Sequence, residues 1–285
     1  MHVREVSLSY RSPKAMKKEI SLGLIVGLLL LVWLSGSLGC KSPAGTCACL
    51  PQADKEYILI FNCVDELLTG DLTDTVSLDD LAQQYSGRDI VGLGTTSRQH
   101  GGELIFMSGK CYWADPTSDG MITGIDWTSA EKLPFCAITR VGDEDALIFT
   151  EVTGDIHEWL VDKLVELGIP LAAIKVNGEF ADVDLSIADK LPTNSSENLK
   201  STLVTVSQEQ EWQMVGFYAL GSDDQLIITV PDSPVHLHGK TLDDSHGGHV
   251  KKANSISATV TVYPIKQFIL RNSVPASVPA ELEMK

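Results

Sequence analysis

Cysteine is scarce in this chain and badly spaced for the chemistry it often marks. Six cysteines occur in 285 residues and no two are arranged as CxxC, which excludes a cysteine-based zinc module. A chain of this length has no need of a disulfide framework, the device of small secreted domains. Positive charge is scarce as well: 22 Lys and Arg stand against 38 Asp and Glu, a formal charge of -16. Beyond the first eighteen residues no cluster of cations exists to displace phosphate counterions, so no nucleic-acid partner is expected. No repeat at solenoid periods is present. Hydrophobic residues make up 44% of the chain, enough to bury a substantial core and to exclude disorder for most of it.

The cations that do cluster are Arg4, Arg11, Lys14, Lys17 and Lys18, and they precede an apolar run from Leu22 to Leu34. Counted from Met16, a short basic region, an apolar stretch and small residues before Cys40 resemble a lipoprotein signal peptide, with Ser37 where leucine is usual. Cys40 is then the lipidated residue of the exported chain. An uncleaved membrane anchor over residues 21–39 is the alternative, since that stretch approaches the roughly 20 residues a spanning helix needs. Both place the remainder outside the cytoplasm, either membrane-anchored or secreted. Loss of residues 1–39 removes five basic and two acidic side chains and takes the formal charge from -16 to -19, a self-repelling acidic surface. Residues 40–54 (KSPAGTCACLPQ and its flank) read as a linker.

The fold expected beyond the linker is mixed α/β and strand-rich, with two packed sheets and few helices. YILIF (57–61) is a buried strand, SLDDLAQQY a helix with Ser77 as N-cap and Asp80 three residues on, and ELIFMSGKCYWA a hairpin turning at Ser108-Gly109. DIHEWLVDKLVELG carries Ile156, Leu160, Leu164 and Leu167 at helical spacing and stops at Gly168. His157 on that helix reads as a solvated side chain. LAAIKVNGEFADVDL alternates about Asn177-Gly178, a strong hairpin signal, and QMVGFYAL, QLIITV, HLHGK, HGGHV and SATVTVYPI supply further strands. Residues 55–152 are expected to form an N-terminal α/β sheet domain and 153–285 a C-terminal sheet domain.

Four of the seven histidines fall within the fourteen residues from His236 to His249. On a strand, residues two apart share a face, so His236 and His238 project together while Leu237 points the other way. GKTLDDSHGG lets the chain reverse, and His249 on the returning strand comes back to the pair. Three neutral imidazoles describe an open metal site with positions left for substrate; zinc is the default ion, and other divalent transition metals accept the same ligands. His246 lies in the turn and reads as a neighbour of the site rather than a fourth ligand. A cupin-like barrel also uses HxH, but it places a Glu shortly after the pair and its last His much later, neither of which holds here.

HLH followed by H within GGH, together with the ordered blocks LLTGDL, GLGT (92–95), GGEL (101–104), PFC (134–136), AIKVNG (173–178), MVGFY (214–218) and TVTV (259–262), resembles the α-acetolactate decarboxylases over residues 57–272. The resemblance implies a carboxy-lyase that converts 2-acetolactate, a small keto acid, to acetoin and carbon dioxide, with His236, His238 and His249 as metal ligands. It gives Glu103 an acid/base or proton-relay role. It places Thr95 beside the site, with Thr96 as the alternative because one extra residue separates the blocks. Lys175 stands where the family has an arginine, keeping the charge that attracts the substrate carboxylate but losing the bidentate fork. The family also brings a glutamate from its C-terminal tail, here Glu281 or Glu283, and neither is assigned. A homodimer is a further implication. Two alternatives stay open: a non-catalytic metal-binding lipoprotein of the same fold, and a related lyase or isomerase acting on another 2-hydroxy-3-keto acid.

Overall fold

The apolar run at 57–61 is continuous because both of its faces are covered. In the computed structural model, which describes residues 57–70, 76–96, 101–129, 131–194, 196–221, 227–230 and 233–271, it forms β1 (Tyr57–Phe61). Ile58 and Ile60 point into a layer between two sheets, and Tyr57, Leu59 and Phe61 into an outer layer. The expected leader, its Cys40, the linker cysteines, Glu281 and Glu283 lie outside the described residues.

Helix α1 (Val64–Leu68) and the short strand β2 (Val76–Ser77) lead to α2 (Leu78–Tyr85). Ser77 is the N-cap of α2, and its N–H donates to the Asp80 carboxylate at 3.4 Å, the reciprocal half of a capping box. Leu78, Leu81 and Tyr85 of α2 cover the outer layer. β3 (Ile90–Thr95), β4 (Glu103–Met107), β5 (Lys110–Asp115), β6 (Met121–Ile125), β7 (Lys132–Leu133) and β8 (Phe135–Arg140) follow. The β4–β5 turn is the expected one: Ser108 and Gly109 have φ of 51° and 71°, as a type I′ hairpin requires. β7 pairs with β2 in a separate two-stranded sheet.

β9 (Leu147–Asp155) and α3 (Ile156–Glu166) lead into β10 (Leu171–Lys190), β11 (Lys200–Val206), β12 (Gln210–Ala219), β13 (Val235–Thr241), β14 (Gly247–Pro264) and β15 (Gln267–Arg271). The first sheet runs β15-β1-β8-β3-β4-β5-β6, with β15 returning from the far end of the chain to pair parallel with β1. The second runs β11-β10-β12-β13-β14-β9, and β10 also pairs with β14. That extra pairing closes a staggered ring of four strands. From Lys175 the ladder passes to Val215, His238 and His249 and re-enters β10 at Ser186, eleven positions from its start. Such a stagger is the shear that closure of a sheet demands. Ile156, Leu160 and Leu164 of α3 pack with one face of this sheet, and the other face meets the first sheet through residues such as Val215, Phe217 and Ala173.

Two local expectations are corrected. Asn177-Gly178 makes no hairpin, for β10 runs straight through it: Gly178 faces Trp212 on one side and Ala258 on the other. The glycine serves close approach instead. A Cβ there would lie 2.3 Å from the Ser257 carbonyl oxygen, and the register of β10 shifts just beyond, at Glu179 to Asp182, where the strand bends to close the ring. In QLIITV, Ile227 and Ile228 are helical rather than extended. Gly178→Ala is expected to destabilise the fold by about 1–3 kcal/mol through overpacking, read as a lower midpoint in equilibrium urea unfolding; a turn glycine at the surface would leave the midpoint unmoved.

Candidate metal centre

Alternation along β13 does what the sequence pattern requires. Val235 and Leu237 enter the core beneath α3, while His236 and His238 turn to the space between the sheets. β14 runs antiparallel to β13 with His249 directly opposite His238, so the third imidazole arrives by register. One nitrogen from each of the three rings lies within 4.8 Å of the others.

Backbone carbonyls set the tautomers. His236 Nδ1 donates to the Ile228 carbonyl at 2.8 Å, and His238 Nδ1 donates to the Leu104 carbonyl of β4, also at 2.8 Å. Both Nε2 atoms therefore present lone pairs, and they face each other at 3.2 Å. Two acceptors at that distance repel unless a cation lies between them. Zn–N bonds of about 2.0–2.1 Å in tetrahedral geometry require an N···N edge of about 3.3 Å, close to what the pair provides. Burial lowers the pKa of all three histidines: His236 falls to about 4, the Ile228 carbonyl opposing the shift, and His238 and His249 fall well below the usual value, burial being reinforced by neighbouring histidines. Neutral imidazole is the ligating form. The donor set thus fits a divalent transition ion, which His236, His238 and His249 would hold.

Glu103 comes from the other sheet. Its Oε1 accepts the Ala188 N–H at 3.0 Å, and its Oε2 accepts the Thr95 hydroxyl at 3.4 Å and stands 3.7 Å from His238 Nε2. Burial pushes its carboxyl up to about 7, with the Ala188 N–H and the Thr95 hydroxyl pulling the other way. A carboxyl that exchanges its proton near neutral pH is suited to general acid/base work. Thr95 lines the same cavity, whereas Thr96 is turned away onto Glu131.

Lys175 does not line the cavity at the triad. Its ammonium pairs with Asp89 at 2.5 Å and lies over the Tyr263 ring. Asp89 precedes Thr95 by six residues, roughly 20 Å along an extended strand, so the side chain leans toward the far end of β3. The structure also adds residues that pattern reasoning passed over. His157, expected in solvent, is half-buried in the cavity wall; burial lowers its pKa, and its Nδ1 has no hydrogen-bond partner. Nothing in the stripe of Ile156, Leu160 and Leu164 shows that a cavity lies beside the helix start. Lys251 lines the cavity too, two residues after His249. His246 stays in the turn, its Nδ1 bonded to the Ser245 hydroxyl at 3.0 Å. The cavity holds about 510 Å³, within the range of small-molecule sites, with Val64, Leu67, Phe135 and Leu191 forming apolar wall opposite the polar groups.

The family model described as alpha-acetolactate decarboxylase matches residues 58–277. The chain belongs to the α-acetolactate decarboxylase family. A curated relative, the alpha-acetolactate decarboxylase of Brevibacillus brevis, is 26% identical over 271 residues, which is 89% of each chain. Alpha-acetolactate decarboxylase from Bacillus subtilis strain 168 shares the fold with a TM-score of 0.61 at 20% identity, over 77% of this chain and 90% of that one. A Staphylococcus aureus protein of unknown function, similar to alpha-acetolactate decarboxylase, aligns with a TM-score of 0.60 at 17% identity, over 76% and 89% of the two chains. The strand-rich, two-sheet fold is thus the fold of this decarboxylase family.

His238→Ala is expected to reduce bound metal from one ion per chain to under about a tenth, because loss of one of three ligands leaves an incomplete site. His246→Ala is expected to keep the full complement. Elemental analysis of extensively dialysed protein distinguishes the two.

Proposed function

We propose that this chain decarboxylates 2-acetolactate to acetoin and carbon dioxide, using zinc or another divalent transition ion on His236, His238 and His249. The single observation that carries the reading is the meeting of Glu103 with the triad across the gap between sheets, inside a cavity of the right scale. Breaking the bond to the carboxylate leaves its electron pair on carbon, and the neighbouring ketone must accept them. A divalent ion, when bound, supplies the Lewis acidity for those oxygens. Glu103 then serves as the proton source for the carbon that lost the carboxylate. The Ala188 N–H and the Thr95 hydroxyl fix the rotamer of Glu103, so the proton is presented from one direction. Apolar residues exclude bulk water from the charged species.

A second reading, metal binding without turnover, is favoured by the engagement of Lys175 with Asp89, which leaves position 175 without the charge that the family pattern directs at substrate. The test is an acetoin assay on protein depleted with chelator and reloaded with zinc. Chelator-sensitive acetoin formation is expected. Glu103→Gln is expected to lower kcat by about 10²–10⁴-fold with zinc content unchanged. Full metal occupancy with no acetoin from the wild-type chain supports the second reading.

A further inference from the structure

An anionic substrate approaching a chain of charge -16 needs a local cation beyond the metal ion, and Lys175 is neutralised by Asp89. The cavity contains a replacement. Among the described residues that line it, Lys251 is the one Lys or Arg. Lys251 follows His249 by two residues, roughly 7 Å along the strand. The ladder then leaves it unpaired: Leu185 faces Val250 and Asp184 faces Lys252, so Lys251 is the extra residue of a bulge in β14. Bulges re-aim a side chain beside a site. Lys251 is exposed, so it sits at the cavity's mouth, and it has no ion-pair partner among the described residues. Its charge is near enough to act on His249. His157 in the same wall is a neutral ring and offers no charge to a carboxylate.

We propose that Lys251 binds the substrate's carboxylate, taking over the role that the family pattern gives to position 175. This rests on the reading of the chain as a decarboxylase of a 2-hydroxy-3-keto acid, and it extends to any 2-hydroxy acid that reaches the triad. The carboxylate still carries its charge as the carbon–carbon bond begins to break, so Lys251 holds bound substrate and transition state alike. Its loss therefore falls on KM.

With zinc-loaded full-length protein and acetolactate, Lys251→Met is expected to raise KM by about 10–100-fold, the size of a lost hydrogen bond to a charged group. Under the same conditions kcat, zinc content and thermal midpoint are expected to hold, and Lys251→Arg is expected to restore KM to within about threefold. Lys252→Met, the adjacent lysine outside the cavity, controls for the loss of general surface charge. A KM unchanged in Lys251→Met, or raised equally in Lys252→Met, overturns the proposal. So does a KM raised by Lys175→Met alone.

Calorimetry separates this proposal from the reaction itself. 2-Hydroxyisobutyrate, which carries a carboxylate, is expected to bind the Lys251→Met protein at least about tenfold more weakly than wild type, while acetoin, which carries none, binds both alike. That pattern without acetoin formation upholds the carboxylate subsite and defeats the decarboxylase reading. Acetoin formation with equal 2-hydroxyisobutyrate affinities does the reverse.

Discussion

Two uncharged imidazoles with converging lone pairs, and a third ring beside them, make an arrangement that is unfavourable by itself. His236 and His238 hold their Nε2 atoms 3.2 Å apart, and neither carries a proton there because each Nδ1–H is committed to a backbone carbonyl. Protonation would relieve the repulsion in water, but burial penalises the charged form and closes that route. A divalent cation is the remaining remedy. The carbonyls of Leu104 and Ile228 therefore matter as much as the ligands, since they choose the tautomer and fix the ring planes.

The rest of the fold serves that convergence. His236 and His238 share a strand face, His249 meets them by antiparallel register, and Leu104 and Glu103 reach them from the opposing sheet. The two sheets are thus joined at the site by polar contacts. Closure of the β10-β12-β13-β14 ring requires a stagger, so β10 meets the row of the triad twice, at Ser186 beside His249 and at Lys175, two strands from His238. A side chain can belong to the strand that borders a site and still serve a different part of the molecule. Lys175 does so, stabilising the contact with Asp89 at the start of β3.

Local chemistry made much of this legible in advance. Period-two alternation placed His236 and His238 together, the Ser77 cap and the Ser108-Gly109 turn were recognisable by residue type, and the continuous apolar run of β1 marked a strand covered on both faces. What could not be seen depended on contacts distant in the chain. Asn177-Gly178 carries the chemistry of a turn, yet the close passage of Ser257 and Ala258 decides its conformation. The family pattern supplied a charge at position 175 but not the direction in which the side chain leans. His157 and Lys251 acquire significance only from the cavity wall, and a strand bulge leaves no mark in a single sequence. Of the two threonines, the hydrogen bonds to Glu103 and Glu131 separate Thr95 from Thr96.

The central claim is that His236, His238 and His249 jointly bind one divalent ion through imidazole nitrogens. X-ray absorption at the metal edge of purified, zinc-loaded protein addresses it directly. The expected spectrum has three imidazole scatterers, with nitrogen at about 2.0–2.1 Å and the outer-shell features of rigid rings, and the remaining coordination supplied by oxygen. A first shell of oxygen alone, or fewer than three imidazoles at full occupancy, would contradict the account.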